Sequence, residues 1–269
     1  MGIIKISHEV PLVMLKESLN FNDYQYCLVH LLEESKSYLK HFEECRDNKI
    51  PVLLDNSLFE LGEAFTNDRF AKFIRILKPN QYVIPDVFND YRGTIRNVLK
   101  WKESGYFEEF KESESIGVIQ GNTYEEYVKC YKSLDESGVD VLAISFGYDY
   151  YSLKNPYIDK NQARMFGRIT LINRLIKDKV INPKKKHHLL GAGLPQEFMF
   201  YKHPKFHFIK QLDTSSPIIH GMHNIRYMQG GLIHKLEVKL ADELNTQISE
   251  TQMSLIYKNI DKFRKLIES

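Results

Sequence analysis

The sequence predicts a single-domain α/β fold, a (β/α)8 barrel of the TIM type without a zinc subdomain, and three observations predict it. Six short apolar runs each stop at a polar or glycine motif: Leu53-Leu54-Asp55, Val83-Ile84-Pro85-Asp86, Val118-Ile119-Gln120-Gly121, Ala143-Ile144-Ser145-Phe146-Gly147, Leu189-Leu190-Gly191-Ala192-Gly193 and Phe208-Ile209-Lys210-Gln211-Leu212-Asp213. Segments with helical spacing lie between them, an alternation that favours a parallel sheet over an α+β arrangement. The 269 residues match the length of about 250 typical of such barrels, and no composition break marks a second domain within 1–269. A doubly wound sheet shares the same alternation, so closure is an expectation only. In a barrel, the residues just past the strand ends converge on the face that carries the active site.

Taken in order, residues 26–32 read as the first strand and 33–47 as a charged helix. Residues 51–55 give the second strand. Asn67–Leu77 reads as a helix with Asn67 as its N-cap and Phe70, Phe73, Ile74 and Leu77 on one face. A third strand over 82–86 precedes a helix near 91–101. The fourth strand covers 116–120, and Tyr124–Ser137 is an amphipathic helix opened by Thr123 and closed by Gly138. A fifth strand over 139–145 leads into a loop over 148–159 and a helix over 162–177. Residues 188–191 and 206–213 are the sixth and seventh strands. The eighth unit is placed in 222–240, interrupted by Gly230-Gly231, with a closing helix over 254–267.

The 43% hydrophobic and 12% aromatic content is enough for one substantial core, and a formal charge of +2 leaves no global field to draw the chain onto nucleic acid. Binding of that kind needs a local patch. Cys27, Cys45 and Cys130 form an odd, scattered set without CxxC spacing, which fits a reducing compartment. Glu9 and Pro11 interrupt the first apolar stretch, so no signal peptide is expected, and Ile6 stands where a myristoylation signal needs Ser or Thr. No apolar run reaches the roughly 18 residues of a membrane span. The expectation is a soluble cytoplasmic protein that does not meet a membrane.

Asp55 and Asp213 are the leading candidates for chemistry, because two carboxylates at strand ends can divide nucleophilic and proton-transfer roles. The competing reading is helix capping, since Asp55-Asn56-Ser57 and Asp213-Thr214-Ser215-Ser216 are good capping sequences. Asp86 and Gln120 offer the acceptors and donor that suit a purine-like base, although each also fits an ordinary turn. Gly191-Ala192-Gly193 lacks the third glycine of a dinucleotide site, leaving close backbone approach or a tight turn. His187, His188, His203, His207, His220, His223 and His234 cluster late, but His220-x-x-His223 has no neighbouring Cys or carboxylate, so structural roles come ahead of metal binding. Lys184-Lys185-Lys186 is a basic run, either a solvated loop or a contact for phosphates.

In this order the motifs resemble the tRNA-guanine transglycosylase superfamily, most closely its compact phage branch of DNA 7-deazaguanine transglycosylases, from about Pro51 to Pro217. The family's Asp-Ser-Gly-Gly-Phe-Gln motif is similar to Asp55-Asn56-Ser57-Leu58-Phe59-Glu60, its base-recognising Asp to Asp86, and its Gln-Gly-Gly element to Gln120-Gly121-Asn122. Ser145-Phe146-Gly147 matches the loop that meets the base through backbone groups. His188-Leu189-Leu190-Gly191-Ala192-Gly193-Leu194-Pro195 resembles the archaeal His-Leu-Phe-Gly-Ala-Gly-His-Pro, and the nucleophilic Asp falls on Asp213. The resemblance implies base exchange: guanine in DNA, or in tRNA as the alternative, replaced by a 7-deazaguanine through a glycosyl-aspartate. It implies Asp213 and Asp55 as catalytic residues, and Asp86, Gln120, Gly121, Ser145, Phe146, Gly147, Phe59, Gly191 and Gly193 as base-binding residues. No cofactor is implied, and a phage-encoded protein would work in the host cytoplasm. The sequence departs from the family at Ser57 and Leu58, which replace both glycines, at Ile218 and Ile219, where an Arg is absent, and in lacking the Cys3His zinc motif.

Overall fold

The computed structural model describes residues 4–146 and 158–268. Eight strands form one sheet: β1 (Lys5–Ser7), β2 (Gln25–Leu28), β3 (Val52–Asp55), β4 (Gln81–Val83), β5 (Glu114–Val118), β6 (Val141–Ser145), β7 (Lys186–Leu190) and β8 (Ile209–Asp213). Their order is β1-β8-β7-β6-β5-β4-β3-β2, all parallel, with helices between them. This is the topology of a (β/α)8 barrel.

Helices α1 (Leu15–Ser18), α2 (Val29–Glu34) and α3 (Lys36–Asp47) flank β2, while α4 (Leu58–Leu61) and α5 (Asn67–Leu77) follow β3. Next come α6 (Tyr91–Glu103), α7 (Tyr106–Glu109), α8 (Tyr124–Ser137) and α9 (Lys160–Lys177), and the chain closes with α10 (Ser216–Met222) and α11 (Glu250–Glu268). Thr123 caps α8 by accepting the Glu126 N–H, and Gly138 ends that helix at φ +98°. The capping residue of α5 is Thr66, whose hydroxyl accepts the Arg69 N–H. Asn67, expected in that role, instead donates to the Asn97 carbonyl at 3.0 Å.

Two element assignments need correction. The strand expected over 26–32 stops at Leu28, and Val29–Glu34 is helical; a short, mostly apolar run has no period that separates strand from buried helix. The strand expected in 222–240 is absent among the described residues, which hold only an isolated antiparallel bridge between Met228 and Gly231. The eighth strand is β1, three residues long and too short to show alternation. It pairs with β8 in the register Lys5↔Gln211, Ile6↔Leu212, Ser7↔Asp213. Most of the loop expected over 148–159 lies outside the described residues.

The chain packs as two compact units. One comprises Met1–Asp23, Phe146–Asp178 and Leu189–Ser269; the other comprises Tyr24–Ser145 and Lys179–His188. In the second, Trp101 is fully buried among Phe70, Tyr82, Tyr106 and Phe110. In the first, buried Phe263 lies edge-on to Phe198 and His8. No helix among the described residues is long and apolar enough to cross a membrane.

Candidate functional site

Each predicted motif sits at or just past the carboxyl end of its strand, and within the second unit three of them meet. Asp86 is buried, three residues past β4. Its Oδ1 accepts from Asn56 Nδ2 at 2.7 Å and its Oδ2 from Gln120 Nε2 at 2.5 Å. Both amides are held in one orientation. Asn56 also donates to the Ile84 carbonyl, and its own oxygen accepts the Leu58 N–H. The Gln120 oxygen accepts the Asn89 N–H at 2.9 Å. A carboxylate has about four lone-pair sites, so each Asp86 oxygen retains acceptor capacity on this frame. Burial pushes the Asp86 carboxyl up to about 6, opposed by the Gln120 and Asn56 hydrogen bonds.

Gln120, expected to touch a base, is fully buried with its oxygen and one N–H committed to protein. In this geometry it orients Asp86. Asn56 does the same; the sequence reading had it within a capping string and a family-like motif, with no role of its own. Gly121 has a packing reason, since a Cβ there would meet the Tyr127 backbone nitrogen at 2.9 Å where α8 begins.

Asp55, the last residue of β3, is buried, and its Oδ2 accepts the Ser57 N–H at 2.7 Å. The turn leaves Ser57 at φ +60°, a left-handed conformation that glycine adopts without penalty and other residues rarely adopt. The Ser57 hydroxyl accepts the His30 N–H at 3.3 Å. α4 begins after Ser57 without a side-chain cap, so Asp55 closes a local turn and does not serve as the helix N-cap. Phe59 on α4 is 61% exposed, and Phe88 beyond Asp86 is 38% exposed. A cleft of about 780 Å³, lined in part by Leu58, Phe65, Asp86, Val87 and Phe88, opens here. Its size lies in the range of ligand pockets. Of the predicted site residues, Asp86 alone lines it.

The first unit carries the other cluster. Asp213 ends β8 and is buried, and its Oδ2 accepts the Gly191 N–H at 3.1 Å from the loop after β7. α10 starts after Ser215 without a side-chain cap, so capping does not explain Asp213 either. Gly191 stands at φ +65°, and a Cβ on Gly193 would fall 1.7 Å from the Phe146 ring. The Phe146 N–H donates to the Leu190 carbonyl at 2.9 Å, so it is spent on the scaffold and is not offered to a base. Ser145 is the last residue of β6, and Gly147 lies outside the described residues.

Arg168 from α9, fully buried, forms two hydrogen bonds with Glu197 at 2.6 and 2.9 Å and donates to the Leu190 and Gly191 carbonyls at 3.1 Å. This ion pair therefore ties down the loop that holds Asp213. Sequence reasoning missed it, because Arg168 and Glu197 carry no motif. Ser7 was missed with β1: it aligns with Asp213, and its buried hydroxyl has no hydrogen-bond partner among the described residues.

Two lysines of the basic run have protein partners. Lys186 begins β7, at the amino end of the strand, and its ammonium pairs with Glu114. Lys185 donates to the Val139 carbonyl at 2.5 Å and lies 3.5 Å from Asp135. Lys184 stays exposed. The run thus stands at the amino end of β7, whereas the Gly191-Ala192-Gly193 motif follows its carboxyl end.

The late histidines have structural partners. His187 bonds the Tyr131 hydroxyl at 2.9 Å, His220 the Ser216 carbonyl at 2.7 Å, and His223 Glu243 at 2.7 Å. Among the described residues no group of three His, Cys, Asp or Glu is placed to hold a metal ion. No protein-family model matches the chain, and no curated protein is significantly similar to it.

Proposed function

We propose that this protein is a base-exchange transglycosylase that replaces guanine in DNA with a 7-deazaguanine. The observation that carries the reading is the Asp86 carboxylate, buried at a strand end with both oxygens aligned by two fixed amides. That arrangement suits a receptor for the N–H edge of a purine-like base. Two features support the family likeness further. Ser57 keeps the left-handed turn where the family motif has glycine, and Asp213 accepts a hydrogen bond from the Gly-Ala-Gly loop.

The target nucleotide is flipped from its stack at a cost of a few kcal/mol. Asp213 attacks the sugar C1′ as the C1′–N9 bond breaks, and the bonding pair leaves with guanine. Asp55 donates a proton to the departing base. The incoming 7-deazaguanine gives its N9 proton to Asp55 and attacks the same carbon, releasing the Asp213 carboxylate. Two inversions retain configuration, as in double-displacement glycosidases. Asp86 holds the base, and no cofactor is needed because one glycosidic bond replaces another.

The test incubates the protein with labelled guanine and either DNA or tRNA, then measures label in each polymer. Label in DNA is expected, with a covalent protein–DNA adduct. Asp213→Ala should abolish both; an adduct that survives the substitution rules out the nucleophile. Label only in tRNA moves the substrate to RNA. Release of free base with water as sole acceptor identifies a hydrolase instead.

A further inference from the structure

With Lys184–Lys186 at the amino end of β7, a different cation must meet the substrate's phosphates, and the first unit holds one suited to it. Lys235 lies in the long segment between α10 and α11. Its Nζ donates to the Ala192 carbonyl at 3.3 Å and sits 5.3 Å from the centre of the Phe146 ring. Arg168 approaches that ring at the same distance, but its charge is matched by Glu197. Lys235 has no carboxylate within ion-pair distance among the described residues. An ammonium carries three donors, and one carbonyl uses one of them.

We infer that Lys235, with the Gly191-Ala192-Gly193 loop, forms an anion site for a backbone phosphate next to the reacting sugar. The placement is specific. Ala192 follows the residue whose N–H holds Asp213, and the loops after β7 and β8 are where barrels of this class frequently bind phosphate. The surrounding charges are mixed. Arg164 and Arg168 disfavour the charged ammonium, while Glu9 and Glu237 favour it, and burial, the largest influence, brings the group down to about 8. A bound phosphate would offset that burial. Phosphate recognition by a lysine point charge needs no bidentate geometry, which suits a single ammonium over a glycine loop.

The inference rests on the base-exchange reading for the polymer that supplies the phosphate; the anion site itself does not. The test has two arms. In the first, the intact protein is acylated with an amine reagent at pH 8, and modification of Lys235 is mapped by peptide mass spectrometry. Inorganic phosphate and a single-stranded DNA oligonucleotide are each expected to protect Lys235. Equal labelling with and without both ligands overturns the site, and protection by phosphate alone overturns its assignment to a polymer backbone.

In the second arm, DNA affinity is measured against salt for the wild type, Lys235→Met and Lys235→Arg. Losing one phosphate contact lowers the slope of log affinity against log salt by about 1. Lys235→Met should show that drop, and Lys235→Arg should restore the slope. A folded Lys235→Met protein with wild-type slope refutes the inference while base exchange stands. Protection of Lys235 without guanine exchange on any polymer leaves the anion site standing and removes the enzyme reading.

Discussion

The two strand-end clusters are built on opposite principles. Around Asp86 a buried carboxylate is held by neutral side-chain amides, so its charge is oriented without being cancelled. Around Asp213 the scaffold is an ion pair, Arg168 with Glu197, whose charges are spent on each other and on two carbonyls. The first cluster keeps a responsive acceptor. The second fixes a loop, and a backbone N–H of that loop donates to its carboxylate. Under the proposed base exchange, the first kind of environment would serve recognition and the second would hold the attacking carboxylate.

The sharpest way to break the contrast is at the ion pair. Both side chains have no exposed surface, and removing one partner from a buried pair costs about 3–5 kcal/mol. Glu197→Ala should therefore lower the urea-unfolding free energy by that amount, because the buried Arg168 guanidinium loses its bidentate carboxylate. Replacing both residues with Met removes the charges together and should cost much less. A Glu197→Ala protein within about 1 kcal/mol of wild type would show that the pair does not anchor the loop.

A gentler test exploits the titration of Asp86. Its carboxyl, raised to about 6 from the ordinary 3.8, presents acceptors on both oxygens to a base N–H edge only while ionised. Affinity for the base should be level above that pH and fall about tenfold per unit below it. Stability runs the other way. The folded protein holds this proton more tightly than the unfolded chain, so the site's contribution is full below about pH 4 and is lost as pH rises through about 6. Equilibrium binding of guanine across pH 4.5–8 checks the first slope, and binding that stays flat to pH 4.5 would remove Asp86 from recognition.

The same contrast governs what could be read from sequence. Six strand ends were legible because each apolar run stops at a residue whose chemistry differs sharply from the run. Helices such as Tyr124–Ser137 and Asn67–Leu77 were legible, the second except for its cap, since their apolar faces repeat over three or more turns. β1 was not, because three residues carry no period and its pairing is with β8, some 200 residues away in the chain. Asp86 and Gln120 stood out as polar residues ending apolar runs, yet their relation did not. That Gln120 and Asn56 serve Asp86 follows from contacts across β3, β4 and β5, which local pattern cannot encode. Arg168, Glu197 and Lys235 sit in ordinary-looking stretches, and only burial and partners distinguish them.

The smallest expected effect lies at the turn that sets Asp55. Ser57 pays for a left-handed backbone, about 1–2 kcal/mol for an L-residue, and its hydroxyl returns a hydrogen bond from His30 worth about 1 kcal/mol. Ser57→Gly removes the strain and the bond together, so its stability should lie close to wild type. Ser57→Ala keeps the strain and loses the bond, so it should be about 1 kcal/mol less stable. The pair isolates backbone from side chain because both variants lack the hydroxyl. Denaturant midpoints for the three proteins decide it: if alanine is tolerated as well as glycine, the left-handed turn at 57 is not what holds Asp55 in place.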